Sequence, residues 1–209
     1  MNKLITLKST FGMALLFICS FKSHATNYYV NDNSLTGDVH CSVVGNTSNN
    51  GLTPATPKAT LTQIITVYGG VLTSGDIIYV DAGTYYRTES NLNLNYNGIS
   101  IIGAGMDLTF FDHDGGAPAR WANITGSNII ISDLYITGYN YSVGNANVIQ
   151  ISGATNITFN NVMVNENLPG GGSSAIVING GSSVNFNGGG SSCNPGSASA
   201  AGGGINVEG

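Results

Sequence analysis

Apolar residues in the second half of the chain alternate with polar ones over short stretches, and the alternation returns at a fixed distance. In "SNIIISDLYITG", residues 127–138, the apolar positions are Ile129, Ile131, Leu134 and Ile136. In "TNITFNNVMVNE", residues 155–166, Ile157, Phe159, Val162 and Val164 repeat them 28 residues later. Weaker copies lie on either side, Ile99-Ser100-Ile101 before and Val184-Asn185-Phe186 after. A second series, "VIQISG" at 148–153, "IVING" at 176–180 and "INVEG" at 205–209, runs in step with the first. Alternation with period two predicts strands, and no helical period occurs between Asn97 and Gly209. Short strands recurring at such a period predict an all-β solenoid, a parallel β-helix with about five coils over residues 75–209.

Gly and Asn punctuate the strands because both tolerate left-handed backbone angles. Asn128 and Asn156 fall at equivalent bends and are expected to stack one coil apart, with side-chain amides hydrogen-bonded along the axis. Asp133 occupies the repeat position of Asn161 and reads as another bend. In "GDIIYVDAGTYY", residues 75–86, Ile77 to Val80 form a strand and Asp81-Ala82-Gly83 turns out of it. Asp81 is expected to accept hydrogen bonds from that turn's amides.

One helix precedes the coils. Thr60-Leu61-Thr62-Gln63 fits a capping box, and Leu61, Ile64, Ile65 and Tyr68 form one apolar stripe ending at Gly69-Gly70. Residues 26–74 therefore read as an N-terminal strand, a loop and a helix that caps the open end of the solenoid.

The first 25 residues have a different pattern. Lys3 and Lys8, an apolar run from Phe11 to Phe21, and Ser23-His24-Ala25 read as a secretory signal peptide cleaved before Thr26. The run is too short to span a membrane, and bulky Ile18 argues against lipid attachment at Cys19. The expected location is secreted, extracellular or on the outer cell surface. Past residue 25 the basic side chains are Lys58, Arg87 and Arg120, against eleven carboxylates, a formal charge of −8. That balance excludes nucleic acid as a partner and disfavours acidic polymers. Cys41 and Cys193 remain after processing; their spacing leaves open whether they pair, and rules out a multi-cysteine zinc site.

Residues 28–68, "YYVNDNSLTGDVHCSVVGNTSNNGLTPATPKATLTQIITVY", followed by "GDIIYVDAGTYY", resemble the N-terminal segment of secreted right-handed parallel β-helix proteins of pectate-lyase-like architecture. The likeness covers about residues 28–86 and is similar to exported or cell-surface proteins of Bacteroidetes-type bacteria. It implies the fold and a carbohydrate context. It does not choose between enzyme and adhesin, since the scaffold hosts both.

Candidate chemistry is sparse. In "DHDGG", Asp112 and Asp114 would share one face of a strand and His113 the other, which makes the two carboxylates candidate calcium ligands; Gly115-Gly116 equally supports a solvated turn. Calcium is the one cofactor the sequence raises. Tyr135, Tyr139 and Tyr141 form a sugar-stacking strip if exposed on one face, or pack at coil corners. Arg87 follows two tyrosines and reads as stacked on an aromatic ring, while Arg120 is 33 positions away, so no cationic cluster for a polysaccharide lyase is written. His40 and Cys41 point apart on an extended chain. Residues 188–204 read as a low-complexity loop, after which "INVEG" begins a coil without a cap, so the C-terminal end is expected to be truncated.

Two functions follow as expectations. The first is a secreted, non-catalytic scaffold or adhesin that binds polysaccharide or a cell-surface glycan. The second is the leading part of a polysaccharide lyase or glycoside hydrolase whose catalytic coils lie beyond residue 209.

Overall fold

The computed structural model describes residues 24–140, 147–168, 174–192, 194 and 204–207. Strand β1 (Asn27–Val30) is followed by a long loop and the helix α1 (Leu61–Tyr68). The coils then run β2 (Ile77–Val80), β3 (Gly83–Tyr86) and β4 (Leu92–Leu94); β5 (Ser100–Gly103), β6 (Thr109–Asp112) and β7 (Ala122–Ile124); β8 (Ile130–Thr137) and β9 (Ile149–Ser152); β10 (Ile157–Asn165) and β11 (Ile176–Asn179); β12 (Val184–Ser192) and β13 (Ile205–Val207).

All the pairings are parallel, each strand lying on its counterpart in the next coil. The first face stacks β1, β2, β5 and the leading halves of β8, β10 and β12. The second stacks β3, β6 and the trailing halves of β8, β10 and β12. The third stacks β4, β7, β9, β11 and β13. The register matches the sequence repeat: Phe159 lies on Ile131, Val162 on Leu134 and Val164 on Ile136, each 28 residues apart.

In β8 and β10 the corner between the first two faces is a single left-handed residue. Asp133 (φ 58°) and Asn161 (φ 52°) interrupt β8 and β10, and the Asn161 amide donates to Asp133 Oδ1 at 3.0 Å. Asn128 and Asn156, both at φ 57°, turn the chain from the third face into the first, and Asn156 Nδ2 donates to Asn128 Oδ1 at 2.9 Å. Inward side chains fill the solenoid with stacked rows, such as Ile78, Ile101, Ile131 and Phe159. Each row buries apolar area continuously along the axis, worth ~25 cal/mol per Å².

Two expectations need correction. β12 extends to Ser192, so residues 188–192 are strand and not loop; their backbone pairs with Val162 to Asn165 without needing side chains. Gln63 does not reach back to Thr60: Thr60 Oγ1 accepts the Gln63 amide at 3.1 Å, but Gln63 Oε1 accepts from Ala59 N. The helix ends at Gly69 as expected, with Gly69 right-handed at φ −54° and its amide still bonded to Ile65 O.

The cap is tied to the coils by a residue the sequence did not single out. Glu89, fully buried, accepts the Leu61 and Thr62 amides at 2.7 and 2.8 Å and the Thr62 hydroxyl at 2.6 Å. It thereby satisfies the free N–H groups of the first helical turn. Leu61 and Ile64 enter the core, and Tyr68 packs on Tyr28 with ring centroids 4.8 Å apart.

Candidate functional site

Asp81 is structural. Its carboxylate is fully buried and accepts from Ala82 N, in its own turn, and from Val39, His40 and Cys41 N at 2.6, 2.9 and 2.5 Å. The partners are thus mostly in the N-terminal loop, about forty residues upstream, and the side chain pins that loop to the first coil. Burial, with Asp81 next to it, pushes the Cys41 thiol far above its ordinary range, so it is not a thiolate nucleophile at neutral pH. Cys193 lies outside the described residues. The His40 ring packs on Tyr79 at 4.7 Å.

The residues raised from sequence separate into two environments. Tyr139 is buried, its ring stacked on His113 at 4.9 Å and its hydroxyl bonded to Glu89 O at 2.5 Å. It offers no face to a sugar; the reading of Tyr139 as part of a stacking strip is corrected to a core residue. Tyr141 lies outside the described residues. Tyr135 is half-buried on the outer surface of the second face, tilted against Phe110 at 5.5 Å, and its hydroxyl accepts from Asn165 Nδ2 at 2.7 Å.

The β register places Tyr135 in a row. Thr84, Phe110, Tyr135 and Met163 occupy equivalent outward positions on successive coils, each separated by one strand spacing, roughly 4.8 Å. Beside them runs a second outward row, Tyr86, Asp112 and Thr137, followed by Asn165 and Ser192. The face thus alternates apolar or aromatic surface with amides, hydroxyls and one carboxylate.

At its N-terminal end the face opens into a cleft of about 230 Å³. One wall is Thr84, Tyr86 and Thr88, and the other comes from the N-terminal loop with Asp32, Asn33 and Thr60. Tyr86 is 50% exposed. The Arg87 guanidinium lies 5.5 Å from its ring centre, as the sequence led one to expect, and Arg87 pairs with Asp114 at 2.6 Å. A hydrogen bond to Asp114 raises the Tyr86 hydroxyl, and the same bond, with Arg87, lowers the Asp114 carboxyl.

Asp112 and Asp114 do not share a strand face. Asp112 ends β6, His113 is buried, and Asp114 stands in a left-handed turn (φ 48°) with its amide bonded to Asp112 Oδ1 at 2.8 Å. Calcium takes six to eight oxygens, but one carboxylate here closes the turn and the other is neutralised by Arg87. Among the described residues no group of three or more His, Cys, Asp or Glu side chains is placed to hold a metal. The donor set does not fit calcium.

The two arginines stand apart. Arg87 follows β3, whereas Arg120 precedes β7 on the third face and donates to Gln150 Oε1. A buried ladder escaped the sequence reading: Asn167 Oδ1 accepts from Tyr139 N, and Asn194 Oδ1 accepts from Asn167 N, both at 2.9 Å. The 27-residue interval between the two asparagines was the available signal.

No protein-family model matches the sequence, and no curated protein does. A solved structure of a rhamnogalacturonan lyase superposes with a TM-score of 0.54 at 21% identity, over 74% of this chain and 40% of that one. The fold is a parallel β-helix. At that identity the likeness shows the fold alone, and this chain spans well under half of the lyase. Among the described residues no helix is long and apolar enough to cross a membrane.

Proposed function

We propose that the chain is a secreted or cell-surface β-helix scaffold that binds an uncharged glycan along the outer surface of its second face, without cleaving it in this segment. The observation that carries the reading is the outward row through Phe110 and Tyr135, with exposed Tyr86 at the head of the row beside it, flanked by amides and hydroxyls and leading into the Asp32–Thr60–Tyr86 cleft. Aromatic rings offer flat apolar surface to the C–H faces of sugars, and side-chain amides and hydroxyls exchange hydrogen bonds with sugar hydroxyls. The Arg87 guanidinium, paired with Asp114, packs against the Tyr86 ring. Asp32 and Asp112, within a chain of formal charge −8 after processing, disfavour uronates and leave neutral sugars as the matching class.

A second reading is favoured by the likeness to a rhamnogalacturonan lyase of which this chain spans 40%. In it the segment begins a carbohydrate-active enzyme and the catalytic side chains belong to further coils. A glycan array probed with the processed chain separates ligand classes. The proposal expects signal on neutral oligosaccharides that falls in Tyr86→Ala and Tyr135→Ala; signal confined to polyuronates, or unchanged in both variants, overturns it.

A further inference from the structure

Asp76, at the entrance to β2, is a carboxylate with 1% exposure. Its Oδ2 accepts the Thr73 amide at 2.9 Å and its Oδ1 the Thr26 amide at 2.7 Å. The basic side chains beyond residue 25 are engaged elsewhere: Lys58 with the Thr47 carbonyl, Arg87 with Asp114, Arg120 with Gln150. A buried carboxylate held only by neutral amides is costly, and an opposite charge at hydrogen-bond distance relieves that cost.

The amide on Asp76 belongs to the residue that follows the signal-cleavage motif Ser23-His24-Ala25. His24 and Ala25 are exposed, so the Ala25–Thr26 bond is accessible, and strand β1 begins at Asn27. Thr26 O accepts Ile77 N at 3.0 Å, and Asn27 pairs in register with Ile77. Neither of these bonds, nor the Thr73 bond that orients Asp76, involves residue 25. The nitrogen of Thr26 therefore keeps its place when the leader is removed.

We propose that the α-ammonium of Thr26, created by cleavage after Ala25, is the counter-ion of buried Asp76, so that removal of the leader completes the first coil of the solenoid. In the hydrolysis the Ala25 C–N bond breaks. Water gives its hydroxyl to the Ala25 carbonyl carbon and a proton to the Thr26 nitrogen, which takes a second proton from solvent. One neutral N–H donor becomes a charged group on the same oxygen, and charge-assisted bonds are roughly twice as strong as neutral ones.

The test compares the chain beginning with a free Thr26 amine and the same chain beginning with N-acetyl-Thr26. The free-amine form is expected to melt roughly 2–6 °C higher at neutral pH. The difference is expected to vanish in Asp76→Asn. Equal midpoints in the unsubstituted chain, or a difference that survives Asp76→Asn, overturn the proposal. Should Asp76→Asn fail to fold, amine acylation decides: the paired amine of the native chain is expected to react about tenfold more slowly than the same amine in denaturant, because the reagent needs it unpaired. Equal rates overturn the proposal. None of these readouts depends on glycan binding.

Discussion

Asn156 donates its side-chain amide to the carbonyl oxygen of the Asn128 side chain, one coil below it, at 2.9 Å, and both residues hold φ at 57°. The bond lies at the outer rim of the solenoid and repeats the backbone ladder in side-chain form.

The first prediction concerns this pair. Asn156→Leu forces a side chain poorly suited to positive φ into the bend and breaks the rung, at a cost of about 1–3 kcal/mol. Asn165→Leu loses the bond to the Tyr135 hydroxyl at the outer surface of β10 and carries no such backbone strain. Denaturant midpoints should fall clearly more for Asn156→Leu. Equal losses would remove the rung as a stabilising element.

Asp81→Ala should loosen the N-terminal loop. It strips the acceptor from Val39, His40 and Cys41 N together, an expected loss of about 2–4 kcal/mol, since the cost of an unpaired buried donor is about 1–3 kcal/mol each and water reaches some of them. Amide exchange should accelerate selectively at residues 39–41. Unchanged protection there would show that the loop is held by other contacts.

Glu89 gives a pH signature. Burial raises its carboxyl above the ordinary value of 4.5, against the lowering effect of the bonds from Thr62 and Leu61. A carboxyl raised in the folded state binds its proton more tightly folded than unfolded. The stability it contributes is therefore complete below 4.5 and falls as pH rises through the raised value. Glu89→Gln should be destabilised at every pH, because its amide turns a donor toward donors. Its deficit relative to the parent chain should shrink as pH rises out of the acid range, by thermal or denaturant midpoint. A deficit that grows with pH would contradict the burial argument.

The sequence made the stack legible because one coil dictates the next: the 28-residue interval is the β register itself, as Phe159 on Ile131 shows. The left-handed bends at Asn128, Asn156 and Asp133 were legible for the same reason. Tyr139 was not, since left-handed Gly138 (φ 71°) breaks the strand alternation just before it; it packs inward onto His113 while Tyr135, on the strand, points out. The Asp81 turn bond to Ala82 N was legible, but Glu89 and the loop partners of Asp81 escaped because those contacts span 27–28 and 40–42 residues in non-repeating sequence. The glycines of β12 read as loop because ladder bonds need no side chain.

Polygalacturonate should remain intact in the presence of the processed chain, with or without calcium. A lyase concentrates cations to stabilise the developing charge and a base to take the proton, and here Arg87 is neutralised by Asp114 while Arg120 serves another face. Absorbance of the unsaturated product should stay flat in both samples. Sustained product formation that is lost in Arg87→Ala or Arg120→Ala would assign catalysis to that arginine.

Calorimetric titration of a neutral oligosaccharide into the processed chain, beside Tyr86→Ala and Tyr135→Ala, tests the glycan-binding face most directly. Both variants should remain folded at the titration temperature, as a melting curve checks, and lose affinity about tenfold, as expected for truncating an aromatic anchor worth ~1.4 kcal/mol. Unchanged affinity in both variants would contradict the account, and so would the absence of binding by the parent chain to any neutral glycan.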